Sequence, residues 1–140
     1  MTVAELMSRD VEFIAPEASA KDAAELMGEI DVGALPVGTA DRLQGIVTDR
    51  DILYRVVAKG LDPVETRLRD ILSRPVITCR PGDALNAAMD MMASNHIRRL
   101  PVQDPESGAV VGWVTLADIS RRLLVGHAGL QEALRELTEP

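Results

Sequence analysis

Gly45-Ile46-Val47-Thr48-Asp49-Arg50-Asp51 reads as the end of a strand that runs straight into a helix. Ile46 and Val47 are strand formers, and Gly45 lets the backbone turn in. Thr48 is a candidate N-cap, followed by the acidic residues that suit a first helical turn. Asp51 stands three residues on, so its carboxylate and the Thr48 hydroxyl face one spot at the helix mouth. Two readings are open. A helix mouth offers free N–H groups and partial positive charge, which suits a phosphate. The same Thr-x-x-Asp spacing is also that of a plain capping box with no ligand. What bears on the choice is that the stretch occurs twice.

An offset of 65 residues lays the segment from Val3 to Val37 over the segment from Leu68 to Val102 without a gap. Ser8/Ser73, Arg9/Arg74, Val11/Val76, Pro16/Pro81, Ala23/Ala88, Met27/Met92, Leu35/Leu100, Pro36/Pro101 and Val37/Val102 are identical pairs. After a two-residue length change in a loop, Gly45 to Ile52 lies over Gly112-Trp-Val-Thr-Leu-Ala-Asp-Ile119. A duplication explains register, punctuation and motif together.

Each repeat reads as a short helical turn (3–7; 68–72), then β-α-β-β-α. The strands are expected at 11–14, 34–37 and 43–47 in repeat one, and at 76–79, 99–103 and 110–114 in repeat two. The first helix has start signals in Ser19-x-x-Asp22 and in Asp83. Its apolar stripe is Ala20, Ala23, Ala24, Met27 in one repeat and Leu85, Ala88, Met89, Met92 in the other. The motif helix is expected at 49–58 and 116–125, and a last amphipathic helix at 130–137. The fold class is α/β (α+β): repeat one at 1–62, repeat two at 63–125, and a tail helix at 126–140. Apolar stripes left over on such small units predict pairing of the repeats and a homodimer.

Composition narrows the function. Apolar residues make up 46% and aromatics 2%, so the core is aliphatic and offers no stacking platform for single-stranded nucleic acid. A net charge of −7 disfavours a general grip on nucleic acid or an anionic membrane. The single Cys79 forms no intrachain disulfide and is read as a buried small hydrophobe; zinc ligands are not clustered. No run approaches the roughly 18 apolar residues of a membrane span. The N-terminus lacks the basic start and apolar core of a signal peptide. A soluble, cytoplasmic protein is expected. Met7, Met27, Met89, Met91 and Met92 are read as core packing, and no catalytic constellation is present.

The duplicated motif would aim Thr48 with Asp51, and Thr115 with Asp118, into a cleft between the repeats. The chemistry suits a nucleoside: a carboxylate accepts two hydrogen bonds from a vicinal diol, and a Thr hydroxyl donates to a phosphate oxygen. Repeat two adds His96-Ile97-Arg98-Arg99-Leu100-Pro101, where arginine suits phosphate and a surface ion pair is the other reading. His96 is read as a surface or capping residue, and His127 gives no site signal. Repeat one has Asp31-Val32-Gly33-Ala34-Leu35-Pro36 there, small enough for a flat ring to approach, and Arg50 is its phosphate candidate.

Both Gly-h-x-Thr-x-x-Asp motifs, both Leu-Pro-Val strands, Pro16, Pro81 and the repeat order together resemble a tandem pair of cystathionine-β-synthase (CBS) domains, a Bateman module, over nearly the whole chain. Gly45 to Ile52 and Lys59-Gly60-Leu61-Asp62-Pro63 resemble small stand-alone bacterial CBS-pair proteins. The resemblance implies a disc-like module with a pseudo-twofold axis that binds AMP, ADP, ATP, NAD(H) or S-adenosylmethionine. It implies that Asp51 and Asp118 hold ribose and that Thr48 and Thr115 lie near ribose and phosphate. Ile77 and Thr78 would line one base pocket, Glu12 and Phe13 the other, and Arg98 and Arg99 would grip phosphate. Glu12-Phe13 departs from the family's hydrophobic-Thr pattern, so the site of Ile77, Thr78, Arg98, Arg99, Leu100, Pro101, Thr115 and Asp118 is favoured over that of Glu12, Phe13, Gly33, Ala34, Leu35, Pro36, Thr48, Arg50 and Asp51. The expected function is a non-enzymatic regulatory sensor of adenine nucleotides that signals to an unidentified protein partner. The rival expectation is a ligand-free structural or stress-response scaffold with vestigial sites.

Overall fold

A computed structural model describes residues 1–123 and 128–138. The elements run α1 (Val3–Leu6), α2 (Ala20–Ile30), β1 (Ala34–Gly38), β2 (Leu43–Thr48), α3 (Asp49–Ile52, continued by the π-helical turn Leu53–Val57), the 3-10 turn Leu68–Asp70, α4 (Leu85–Asn95), β3 (Arg99–Gln103), β4 (Val110–Thr115), α5 (Leu116–Leu123) and α6 (Ala128–Thr138). The fold is α+β, with β1–β2 and β3–β4 as two separate antiparallel hairpins. Their registers match residue for residue: Ala34 faces Thr48 as Arg99 faces Thr115, and Val37 faces Gly45 as Val102 faces Gly112.

The chain divides into two compact units: residues 12–76, and residues 1–11 with those from 77 onward. Each repeat's leading segment therefore packs on the body of the other repeat. The bonding repeats faithfully. Val3 N donates to Asp83 O (3.0 Å) as Leu68 N does to Ala18 O (2.9 Å), and Ala4 N donates to Pro81 O as Arg69 N does to Pro16 O (both 3.0 Å). Further along, Ser8 bridges Trp113 in β4, and Ser73 bridges Ile46 in β2. Gly45 and Gly112 make room for this crossing. A Cβ on Gly45 would run into the Leu72 side chain and lie 2.9 Å from Ser73 O; on Gly112 it would lie 2.6 Å from Met7 Sδ and 3.0 Å from Ser8 O. These glycines serve close approach, where the sequence had suggested a turn.

The expected first strands at 11–14 and 76–79 are not strands. Each is a single parallel bridge, Ile14 to Val37 and Cys79 to Val102. Proline explains it. Ile14 N donates to Pro36 O (3.1 Å) and Gly38 N to Ile14 O (2.8 Å). Extending that ladder one step back needs an N–H on Pro36, and one step on needs one on Pro16; neither exists. Pro101 and Pro81 stop the Cys79 bridge in the same way.

Helix signals fared unevenly. Ser19 caps α2 and exchanges hydrogen bonds with Asp22 (3.0 and 3.1 Å). Asp83 does not cap α4: its carboxylate accepts from Arg80 N (2.9 Å) and Ala84 stands at the cap. Ala24 faces solvent, correcting the expected stripe. His96 and Asp31 end α4 and α2 in the left-handed region, at φ 54° and 59°. One core gathers Ala20, Ala23, Met27, Leu35, Val47, Val56 and Leu68; the other gathers Val3, Cys79, Leu85, Ala88, Met92, Leu100, Val114 and Ile119. Burying each such Leu or Val contributes about 1.5–3 kcal/mol. Residues 124, 125 and His127 lie outside the described residues, and no described helix is long and apolar enough to cross a membrane.

Candidate functional site

Antiparallel register brings each motif Thr to the end of its hairpin, and the helix begins at the next residue. Thr48 and Thr115 both accept from the N–H three residues on, at 3.1 Å from Asp51 N and Asp118 N. The first helical N–H is likewise used in both, Asp49 N donating to Gly33 O (3.0 Å) and Leu116 N to Arg98 O (2.7 Å). Beyond that the two mouths differ.

In repeat one the mouth is filled from within. Asp49 Oδ1 accepts from Arg50 N (2.8 Å), so all three leading N–H groups are satisfied. Asp51, 8% exposed, is also satisfied. Its Oδ2 accepts from Thr48 N (2.9 Å), the Ser73 hydroxyl lies 3.1 and 3.3 Å from its two oxygens, and Arg55 Nη1 stands 3.7 Å from Oδ1. Arg50 is exposed and its guanidinium lies 5.7 Å from the Tyr54 ring centroid, a cation–π pair. Glu12 is exposed and Phe13 half-buried, while Ala34, Leu35 and Pro36 are buried. Leu35 belongs to the core, so its side chain packs inward. Within this unit a groove of about 290 Å³ opens elsewhere, at the turn end of the hairpin, among Pro16, Gly38, Thr39 and Arg42.

In repeat two the mouth is open. Leu116 replaces Asp49, and Ala117 N–H has no partner among the described residues. Asp118 is half-buried; Arg121 Nη2 donates to its Oδ1 (2.6 Å), and its Oδ2 has no protein partner among the described residues. Arg121 Nη1 is buried with no partner among the described residues. Arg99, opposite Thr115, is half-buried and Arg98 exposed. Ile77 packs against the core, and the Thr78 hydroxyl donates to Gln103 Oε1 (3.1 Å). Leu100 and Pro101 are buried, so their side chains serve packing. Thus Arg99, Thr115 and Asp118 share one end of the hairpin.

Sequence reasoning passed over Ser73, Arg55 and Arg121. The two arginines were visible as partners four and three residues after the motif Asp, a standard helical spacing for an ion pair. Ser73 gave no local signal, being 22 residues away. Cys79 is 2% exposed, and burial, reinforced by Asp83, pushes its thiol up to about 11, which removes it as a nucleophile at neutral pH.

Two hairpin-and-helix units with a duplicated Thr-x-x-Asp mouth match one known family. A protein-family model for the CBS domain fits residues 3–58 and 68–125. The chain belongs to the CBS-domain family. The CBS domain-containing protein YhcV of Bacillus subtilis is 35% identical over 119 residues, 85% of this chain and 83% of that protein. A protein with CBS domains from Burkholderia ambifaria superposes with a TM-score of 0.83 at 28% identity, covering 90% of this chain and 96% of that one. The CBS domain pair of MJ0100, solved in complex with 5-methylthioadenosine and S-adenosyl-L-methionine, superposes with a TM-score of 0.77 at 27% identity, covering 88% and 95%.

Proposed function

We propose that this CBS pair is a regulatory module that binds one class of ligand, an adenine nucleotide or a related adenosine compound, at the mouth of α5. The observation that carries this is the open α5 mouth: an Ala117 N–H and an Asp118 oxygen that have no partner among the described residues stand with the Thr115 hydroxyl, with Arg99 across the hairpin. Asp118 would accept from the ribose diol, and the helix mouth with Arg98 or Arg99 would receive phosphate or another charged group. The similarity to a CBS pair solved with two adenosine compounds supports the same ligand class.

Binding would shift the protein between conformations and so alter a protein partner, with no chemistry performed on the ligand. A second copy of the chain is one such partner. Leu53, Tyr54 and Val57 are 51%, 55% and 62% exposed on successive turns after α3, an apolar face suited to a dimer contact. The cytoplasm, where these nucleotides reside, is the proposed compartment.

A ligand that binds only the folded state must raise its melting temperature. A thermal-shift screen with AMP, ATP, NADH and S-adenosylmethionine is expected to give a shift with at least one. No shift from any of the four at millimolar concentration would contradict the reading.

A further inference from the structure

We propose that the Asp51 half-site is a permanent internal clasp and not a second ligand site, so that the chain takes one nucleotide at Asp118. The single-ligand consequence rests on the adenine-nucleotide reading above; the clasp does not. Asp51 gathers the Thr48 N–H, the Ser73 hydroxyl and the Arg55 guanidinium. Arg55 in turn donates to Ile71 O (2.7 Å) and Leu72 O (3.2 Å). The residues gripped, 71–73, are the leading segment of repeat two where it crosses β2, with Ser73 N donating to Ile46 O (2.8 Å) and Ile46 N to Ser73 O (3.1 Å). A diol approaching Asp51 would have to displace the serine and strip a buried carboxylate of its donors, and the mouth behind it has no N–H left to offer.

Repeat two is the internal control. Ser8 is the counterpart of Ser73 by sequence and bridges the counterpart strand, yet it is exposed, and among the described residues its hydroxyl accepts only from Asp10 N (3.3 Å). Arg122, at the position of Arg55, is exposed and forms no ion pair among the described residues. Asp118 is paired by Arg121 of its own helix instead (2.6 Å), a contact that ties it to no leading segment, whereas Arg55 and Ser73 tie Asp51 to residues 71–73.

The test compares ligand-free melting of the Ser73→Ala, Ser8→Ala and Asp51→Asn proteins, and titrates the wild type calorimetrically with AMP and with S-adenosylmethionine. Loss of a buried hydrogen bond to a charged group predicts a Tm about 5 °C lower for Ser73→Ala and lower still for Asp51→Asn, with Ser8→Ala within about 1 °C of wild type. Saturation is expected at one ligand per chain. Equal melting of the two serine variants overturns the clasp, as do two ligands per chain with one of them lost in Asp51→Asn. If neither compound binds, the nucleotide reading falls, and the clasp is still decided by the serine comparison. Should Asp51→Asn fail to fold, Ser73→Ala carries the test.

Discussion

Asp49 and Leu116 stand at the same position in the two repeats and set the fate of the helix mouths. The aspartate bends back onto Arg50 N and completes a closed cap, whereas leucine has no acceptor to offer and Ala117 N–H has no partner among the described residues. That difference was present in the sequence, where the first motif carries the fuller set of acids and its second copy does not. A carboxylate at a helix start competes with a bound anion for the same donors, so the fuller motif is the more closed one. Cys79 gives a further prediction at this scale. Its pKa rises from 9.0 to about 11 on folding, so the folded state holds the proton more tightly. Stability is then fully present below pH 9.0 and falls as pH rises toward 11, by up to about 3 kcal/mol. Melting curves from pH 8 to 11 should show a steeper alkaline loss for wild type than for Cys79→Ala; parallel curves would contradict the assignment.

At the scale of elements, the hairpins and helices were legible because period, caps and turns agree. Ser19 and Thr48 cap as their spacing implies, and the registers of β1–β2 and β3–β4 copy each other. The leading strands were misread because apolar character outweighed the prolines. Pro16 with Pro36, and Pro81 with Pro101, each remove one of the donors a longer ladder needs. The crossing of the leading segments also left its trace, in Gly45 and Gly112, though glycine alone does not say what approaches it. Gly45→Ala forces a methyl against Leu72 and the Ser73 carbonyl and is expected to cost about 1–3 kcal/mol by urea unfolding. Gly112→Ala is expected to cost less, since its nearest neighbour is the flexible end of Met7. The reverse order would contradict this account of the crossing.

At the scale of the molecule, the duplication was plain in the sequence and its consequence was not. A 65-residue offset implies two halves of one plan, with half-sites already unequal in their residues. Folding adds a further difference between them: Ser73, in the leading segment of repeat two, reaches Asp51, whereas Asp118 pairs with Arg121 of its own helix and Ser8 bonds to Asp10 N instead. Such contacts lie far apart along the chain and carry no local pattern. The central claim is that ligand recognition resides at Asp118. It is tested most directly by calorimetric titration of wild type, Asp118→Asn and Asp51→Asn with whichever of the four screened nucleotides gives the largest thermal shift. Losing a charge-assisted hydrogen bond to the diol should weaken binding at least about tenfold in Asp118→Asn. Asp51→Asn should stay within about threefold of wild type, a difference below 1 kcal/mol. Binding that survives in Asp118→Asn and disappears in a folded Asp51→Asn would contradict the account.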